Sequence, residues 1–123
     1  MRHSPMGRIL LLEDNPDMLS ALIELFELQN HLVVTGQSGR DGLDELSNNQ
    51  QFDLIISDIS MPYMDGLTFL QEVRKNSTWE NIPITIMSGH VNDEQTAINA
   101  GANAFISKPF RIADLHKLLD RYL

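Results

Sequence analysis

The chain has 123 residues, enough for one hydrophobic core and too few for two. Its 42% hydrophobic content is too high for disorder, and the absence of cysteine excludes disulfide frameworks, thiolate zinc sites and cysteine nucleophiles. Nine Lys and Arg against seventeen Asp and Glu leave a formal charge of -8, which opposes binding to nucleic-acid phosphates or anionic lipid and suits cations and basic partner surfaces.

Residues 1–7, MRHSPMG, carry no periodicity and are expected to form a flexible leader, with one folded domain over 8–123. The first apolar run, Arg8–Leu12, is stopped at once by Glu13 and Asp14. That is far short of the roughly 7–15 apolar residues of a signal peptide or the ~20 of a membrane helix, so the cytoplasm is the expected compartment. Asn15 and Pro16 suit the N-cap and first position of a helix whose apolar face holds Met18, Leu19, Leu22, Ile23, Leu25 and Phe26. A second apolar run over 31–36 precedes a short, mostly solvated helix over 41–50 with Leu43 and Leu46 inward. The third run, 52–57, leads to Asp65 as an N-cap and to Leu67, Phe69, Leu70 and Val73 at helical spacing. Trp79 falls in a loop over 76–81, where half exposure is expected. After the fourth run, 82–87, a helix over 92–100 has only Ala97, Ile98 and Ala100 to bury. It should be the loosest, stopped by a left-handed Gly101. The fifth run, Ala104–Ser107, precedes a last helix striped by Ile112, Leu115, Leu118, Leu119 and Tyr122. Five strand–helix pairs predict a parallel sheet covered by helices on both faces.

In such a sheet every strand ends at the same edge, where ligands of open α/β folds bind. The residues following the runs are Glu13-Asp14, Asp58, Ser88 and Lys108, with 14, 58, 88 and 108 separated by 44, 30 and 20 residues. These spacings are near whole numbers of strand–helix units, so three carboxylates, a hydroxyl and an ammonium are expected in one crevice. Three adjacent carboxylates repel, and a hard divalent cation such as Mg²⁺ resolves the conflict through oxygen ligands. Lys108 supplies a point charge for Asp58 or a phosphoryl oxygen, and Ser88 a hydrogen-bond donor. The set has the make-up of a phosphoryl-transfer site with Asp58 as nucleophile.

The stretches ILLLEDNPD, FDLIISDISMPYMDGL, ITIMSG and AFISKPF make the chain resemble the receiver domain of two-component response regulators, similar to the single-domain chemotaxis regulators, from about Arg8 to Leu123. The resemblance implies a doubly wound, flavodoxin-like α/β fold with strand order 2-1-3-4-5. It implies that Glu13 and Asp14 hold Mg²⁺ (or Mn²⁺) with Asp58 and the backbone carbonyl of Ser60. By the same resemblance Asp58 is the phospho-acceptor, Ser88 the switch hydroxyl, Phe105 the switch aromatic and Lys108 the phosphate-pairing lysine. Phe105 stands where Tyr is common, so no hydroxyl is available there. Ser60 and His90, two residues beyond Asp58 and Ser88, occupy positions where the family tunes phosphoryl lifetime. The Lys108–Pro109 bond is expected to be cis, as it usually is in the family.

The phosphoryl donor would be a sensor histidine kinase or a histidine phosphotransfer protein, with self-catalysed modification rather than enzymatic turnover. The fourth helix, fifth strand and fifth helix, carrying Asn92, Glu94, Arg111, Lys117 and Arg121, would form the output surface and a possible homodimer interface, with the downstream effector unidentified. Met61, Tyr63 and Met64 after Asp58 are expected partly on the loop that reports phosphorylation. Two alternatives compete. One is a constitutive interaction module on the same fold. The other is a stand-alone phosphatase, which would need a second acid at the position of Ser60.

Overall fold

A computed structural model describes residues 7–48 and 51–123. Residues 1–6 of the expected leader, and residues 49–50 at the end of the expected second helix, lie outside the described residues. Strands β1 (Arg8–Leu12), β2 (Leu32–Gly36), β3 (Leu54–Asp58), β4 (Ile84–Ser88) and β5 (Ala104–Ser107) alternate with helices α1 (Pro16–Leu28), α2 (Gly39–Ser47), α3 (Gly66–Lys75), α4 (Asp93–Ala100) and α5 (Ile112–Tyr122). The sheet is wholly parallel, in the order β2-β1-β3-β4-β5. This is the doubly wound, flavodoxin-like arrangement expected from the sequence.

The local chemistry explains the helix starts. Asn15 Oδ1 accepts from the Met18 amide at 3.0 Å with Pro16 at the first helical position, and Asp65 Oδ1 accepts from the Thr68 amide at 2.7 Å. Helix α2 begins two residues earlier than its apolar pattern suggests, because Ser38 Oγ caps it through the Asp41 amide at 3.1 Å. Gly39 and Gly42 are buried there without apolar side chains to announce it. Gly101 ends α4 in the left-handed conformation, φ 114°. Helix α4 buries only Ala97, as its sparse apolar content predicts.

Alternation along the strands splits the core into two layers. Leu10, Leu12, Ile55 and Ile84 face α2, α3 and α4 with Phe69 and Leu70, whereas Ile9, Leu11, Leu54 and Ile56 face α1 and α5 with Phe26 and Leu119. Ile112 departs from the expected α5 stripe: at the first helical position it is 62% exposed, and Leu115, Leu118 and Leu119 carry the burial. No helix among the described residues is long and apolar enough to cross a membrane.

At the edge of the sheet where β4 and β5 begin, Arg74 closes the structure. Its guanidinium donates to the carbonyls of Gly101, Glu80 and Ile82, each at 2.9 Å, and to Asn103 Oδ1 at 2.8 Å. Asn103 Oδ1 also accepts from the Ile84 amide at 2.9 Å. Arg74→Ala leaves these acceptors short of donors and should cost about 2–4 kcal/mol in urea unfolding. Arg74→Lys should recover less than half of this, since one ammonium does not reproduce the planar fork.

Candidate functional site

Asp58 and Ser88 are the last residues of β3 and β4, paired within the ladder, rather than the first residues after it. The third and fourth strands each start two residues later and end one residue later than expected, because pairing with the neighbouring strand, not side-chain polarity, sets their bounds. Glu13 follows β1 directly, its amide bonded to the Gly36 carbonyl at 3.0 Å, and Lys108 extends the β4–β5 ladder through its amide to the Ser88 carbonyl at 2.7 Å. The Lys108–Pro109 peptide is cis, as the resemblance implies.

These ladder extensions gather the side chains. Lys108 Nζ lies 2.9 Å from Glu13 Oε1 and 3.1 Å from Asp58 Oδ2, across 95 residues of chain in the first case. Glu13 is 1% exposed, and its second oxygen accepts from the Asn15 amide at 3.1 Å. Asp58 is buried, with Oδ1 accepting from the Ile59 amide at 2.9 Å, while Asp14 is exposed. Carboxylate oxygens of Glu13, Asp14 and Asp58 all lie within 4.8 Å of one another and could hold a metal ion.

One ammonium faces three carboxylates, so negative charge is in excess. Burial, and then the charge of Glu13, pushes the Asp58 carboxyl above its ordinary value, although Lys108 and the Ile59 amide oppose the rise. For Lys108, burial acts to lower the pKa, but the hydrogen bond it donates to Glu13 and the charge of Asp58 outweigh it and leave the ammonium favoured. A site that keeps surplus negative charge on hard oxygen donors suits a divalent cation.

The loop from β3 to α3 is pinned beside Asp58. The Gly66 amide donates to the Ile59 carbonyl at 2.9 Å, and a β-carbon on Gly66 would meet the Asp58 carbonyl oxygen at 2.2 Å. Gly66 therefore serves close backbone approach at the start of α3. In that loop Met61 and Met64 are half-buried against the core, while Tyr63 is 98% exposed with φ 66°. Ser60 is exposed two residues beyond Asp58, and Trp79 is half-buried, as expected.

Ser88 is buried at the same sheet edge. Its hydroxyl donates to Asp93 Oδ2 at 2.6 Å and accepts from the His90 amide at 3.0 Å. Phe105 is half-buried on the edge strand β5, packed against the core and lining a groove with Lys117, Arg121 and Tyr122. Asn92, Glu94, Arg111, Lys117 and Arg121 are all exposed. Sequence reasoning passed over Asp93 and Arg74. An acid at a helix start reads as a dipole partner, and an arginine in the last turn reads as a solvated cation, so neither carried a distinguishing signal.

A lysine-bridged acidic crevice at the strand-end edge of this sheet marks a doubly wound α/β domain whose clustered carboxylates could hold a metal ion. Residues 9–120 match the profile of the response regulator receiver domain, and the chain belongs to that family of signalling switches. It is 33% identical over 122 residues to the transcriptional regulatory protein GlrR of Escherichia coli K12, covering 98% of this chain and 27% of that protein. It is 31% identical to the nitrate/nitrite response regulator protein NarL of the same strain, covering 97% and 56%. The chain thus spans about a quarter to about half the length of these curated relatives. The chemotaxis response regulator CheY4 of Vibrio cholerae superposes with a TM-score of 0.88 at 29% identity, covering 97% of this chain and all of that one. The receiver domain of sensor histidine kinase PA1611 of Pseudomonas aeruginosa superposes with a TM-score of 0.87 at 26% identity, covering 96% and 98%; its structure has a magnesium ion coordinated in the active site cleft.

Proposed function

We propose that residues 8–123 form a self-modifying switch in which Asp58 accepts a phosphoryl group from a sensor histidine kinase or a histidine phosphotransfer protein. The observation that carries this reading is the Lys108 ammonium bridging Asp58 and Glu13 beside a third, exposed carboxylate. In the transfer, a phosphorus–nitrogen bond to the donor imidazole breaks as a bond to an Asp58 oxygen forms. A carboxylate approaching an anionic phosphoryl group meets repulsion, and Lys108 neutralises charge on the transferred oxygens. The Ile59 amide holds the Asp58 carboxylate in orientation through its 2.9 Å bond to Oδ1.

The donor set of Glu13, Asp14, Asp58 and the Ser60 carbonyl is all hard oxygen and fits Mg²⁺, with Mn²⁺ as the alternative. Such an ion, when bound, supplies charge neutralisation and alignment for the attacking and transferred oxygens.

Once formed, the acyl phosphate brings acceptor oxygens to the sheet edge. Ser88 turns toward them, residues 88–93 follow, and Phe105 fills the vacated space, biasing a two-state equilibrium read on the α4–β5–α5 face. That face is also the surface we assign to an effector or to homodimer formation. The acidic chain argues for no direct nucleic-acid contact by this domain, and the reading sets it in the cytoplasm; Gly7, expected in the leader, is instead buried in the fold, its amide donating to His31 Nδ1 at 3.2 Å and its carbonyl accepting from the Leu32 amide at 2.8 Å. Incubation with acetyl phosphate and Mg²⁺ should add one phosphoryl group by intact mass, and chelating the metal should prevent it. A folded protein that gains no mass with Mg²⁺ present contradicts the proposal.

A further inference from the structure

We propose that Asp93 is an off-state latch on Ser88, a positioning residue that sets how readily the domain adopts its phosphoryl-bound conformation. The inference rests on Asp58 being the phospho-acceptor and deepens that reading.

A serine hydroxyl has one proton to give. Here it goes to Asp93 Oδ2 at 2.6 Å, a length typical of a charge-assisted O–H···O⁻ bond. The accepting side of the same oxygen is taken by the His90 amide at 3.0 Å. Ser88 is 1% exposed, so its hydroxyl proton depends on a protein acceptor. A phosphoryl oxygen on Asp58 and the Asp93 carboxylate therefore compete for one proton, and both competitors are anionic.

The fold makes this competition consequential. Asp93 is the first residue of α4, the preceding Asn92 offers no side-chain cap, and the helix buries only Ala97. Packing leaves the helix weakly held, so its position depends on its two ends. The C-terminal end is tied by Arg74 to the Gly101 carbonyl at 2.9 Å, and the N-terminal end by Asp93 to Ser88. Release of the second tie frees the start of α4 and the residues 88–93 leading into it. Whatever free energy the latch contributes to the resting state opposes the phosphoryl-bound state by the same amount.

Titration of the full chain with beryllium fluoride, a phosphoryl mimic, at fixed Mg²⁺ tests this by calorimetry. Asp93→Ala should bind the mimic about tenfold more tightly than wild type, and Asp93→Asn, which keeps the shape but accepts more weakly, about threefold. In a Ser88→Ala background the Asp93→Ala gain should vanish, since the latch has no proton to hold. Unchanged or weaker binding by Asp93→Ala, or a gain that persists without the Ser88 hydroxyl, overturns the latch. Folded wild-type protein that does not bind the mimic at all overturns the phospho-acceptor reading beneath it.

Discussion

Asp58→Asn should take up no phosphoryl group, and in metal-free buffer at neutral pH it should be more stable than the wild type. The first effect is chemical, because an amide oxygen is no nucleophile toward phosphorus at this site. The second follows from the electrostatics. Burial, and then the charge of Glu13, holds the Asp58 carboxyl above its ordinary value despite Lys108, so the folded chain binds this proton more tightly than the unfolded chain. Ionised Asp58 therefore costs stability at pH above its raised folded value. That cost is relieved as pH falls through the folded value and is gone below the ordinary carboxylate value of about 4. Asparagine removes the charge and keeps an oxygen facing Lys108, so the variant should be the more stable at neutral pH, and its advantage should shrink as pH falls toward the ordinary carboxylate value. Saturating Mg²⁺ should reverse the order, stabilising the wild type by mass action and the variant little. Thermal unfolding at the two pH values, with and without Mg²⁺, measures all of this.

Gly66→Ala should have the largest effect on the fold of any small substitution near the site. The new β-carbon would lie 2.2 Å from the Asp58 carbonyl oxygen and 3.0 Å from both the Asp58 carbonyl carbon and Ile59 Cα. All three are backbone atoms. Ile59 is itself held by its amide to the Met87 carbonyl at 3.0 Å, so relief requires moving the end of β3 and with it Asp58. A loss of about 3–5 kcal/mol in urea unfolding is expected. Because displacement of a reacting group by about 1 Å costs roughly 100-fold in rate, phosphoryl uptake by the folded fraction should fall by that order. Gly89→Ala is the matched control. Nothing lies within 4 Å of its β-carbon position, and its stability should stay within about 0.5 kcal/mol of wild type.

Much of this architecture is legible in the sequence because parallel strands are short apolar runs and their ends share one edge. Asn15-Pro16 and Asp65 announce helix starts through cap chemistry that is local, and the structure places both as expected. Strand bounds are less legible: Phe52 is buried yet outside β3, since the core extends beyond the paired residues. The start of α2 rests on Ser38 and two buried glycines, which carry no apolar signal. At the site, residue types and strand-end positions bring Glu13, Asp14, Asp58 and Lys108 into view before any coordinates. What stays hidden is how they are wired. That Lys108 bridges two carboxylates, that Glu13 uses its other oxygen on Asn15, and that Asp93 holds Ser88 all depend on loop paths that no periodicity encodes.

Borohydride trapping tests the proposed phospho-acceptor most directly. An aspartyl phosphate is an activated acyl group that borohydride reduces to homoserine, whereas a free carboxylate is inert. After acetyl phosphate and Mg²⁺, followed by borohydride and peptide mapping, the account predicts homoserine at position 58 and at no other acidic residue. Reduction at Asp14 or elsewhere, a stable phosphate on Ser88, or a folded chain with no trapped residue would contradict it.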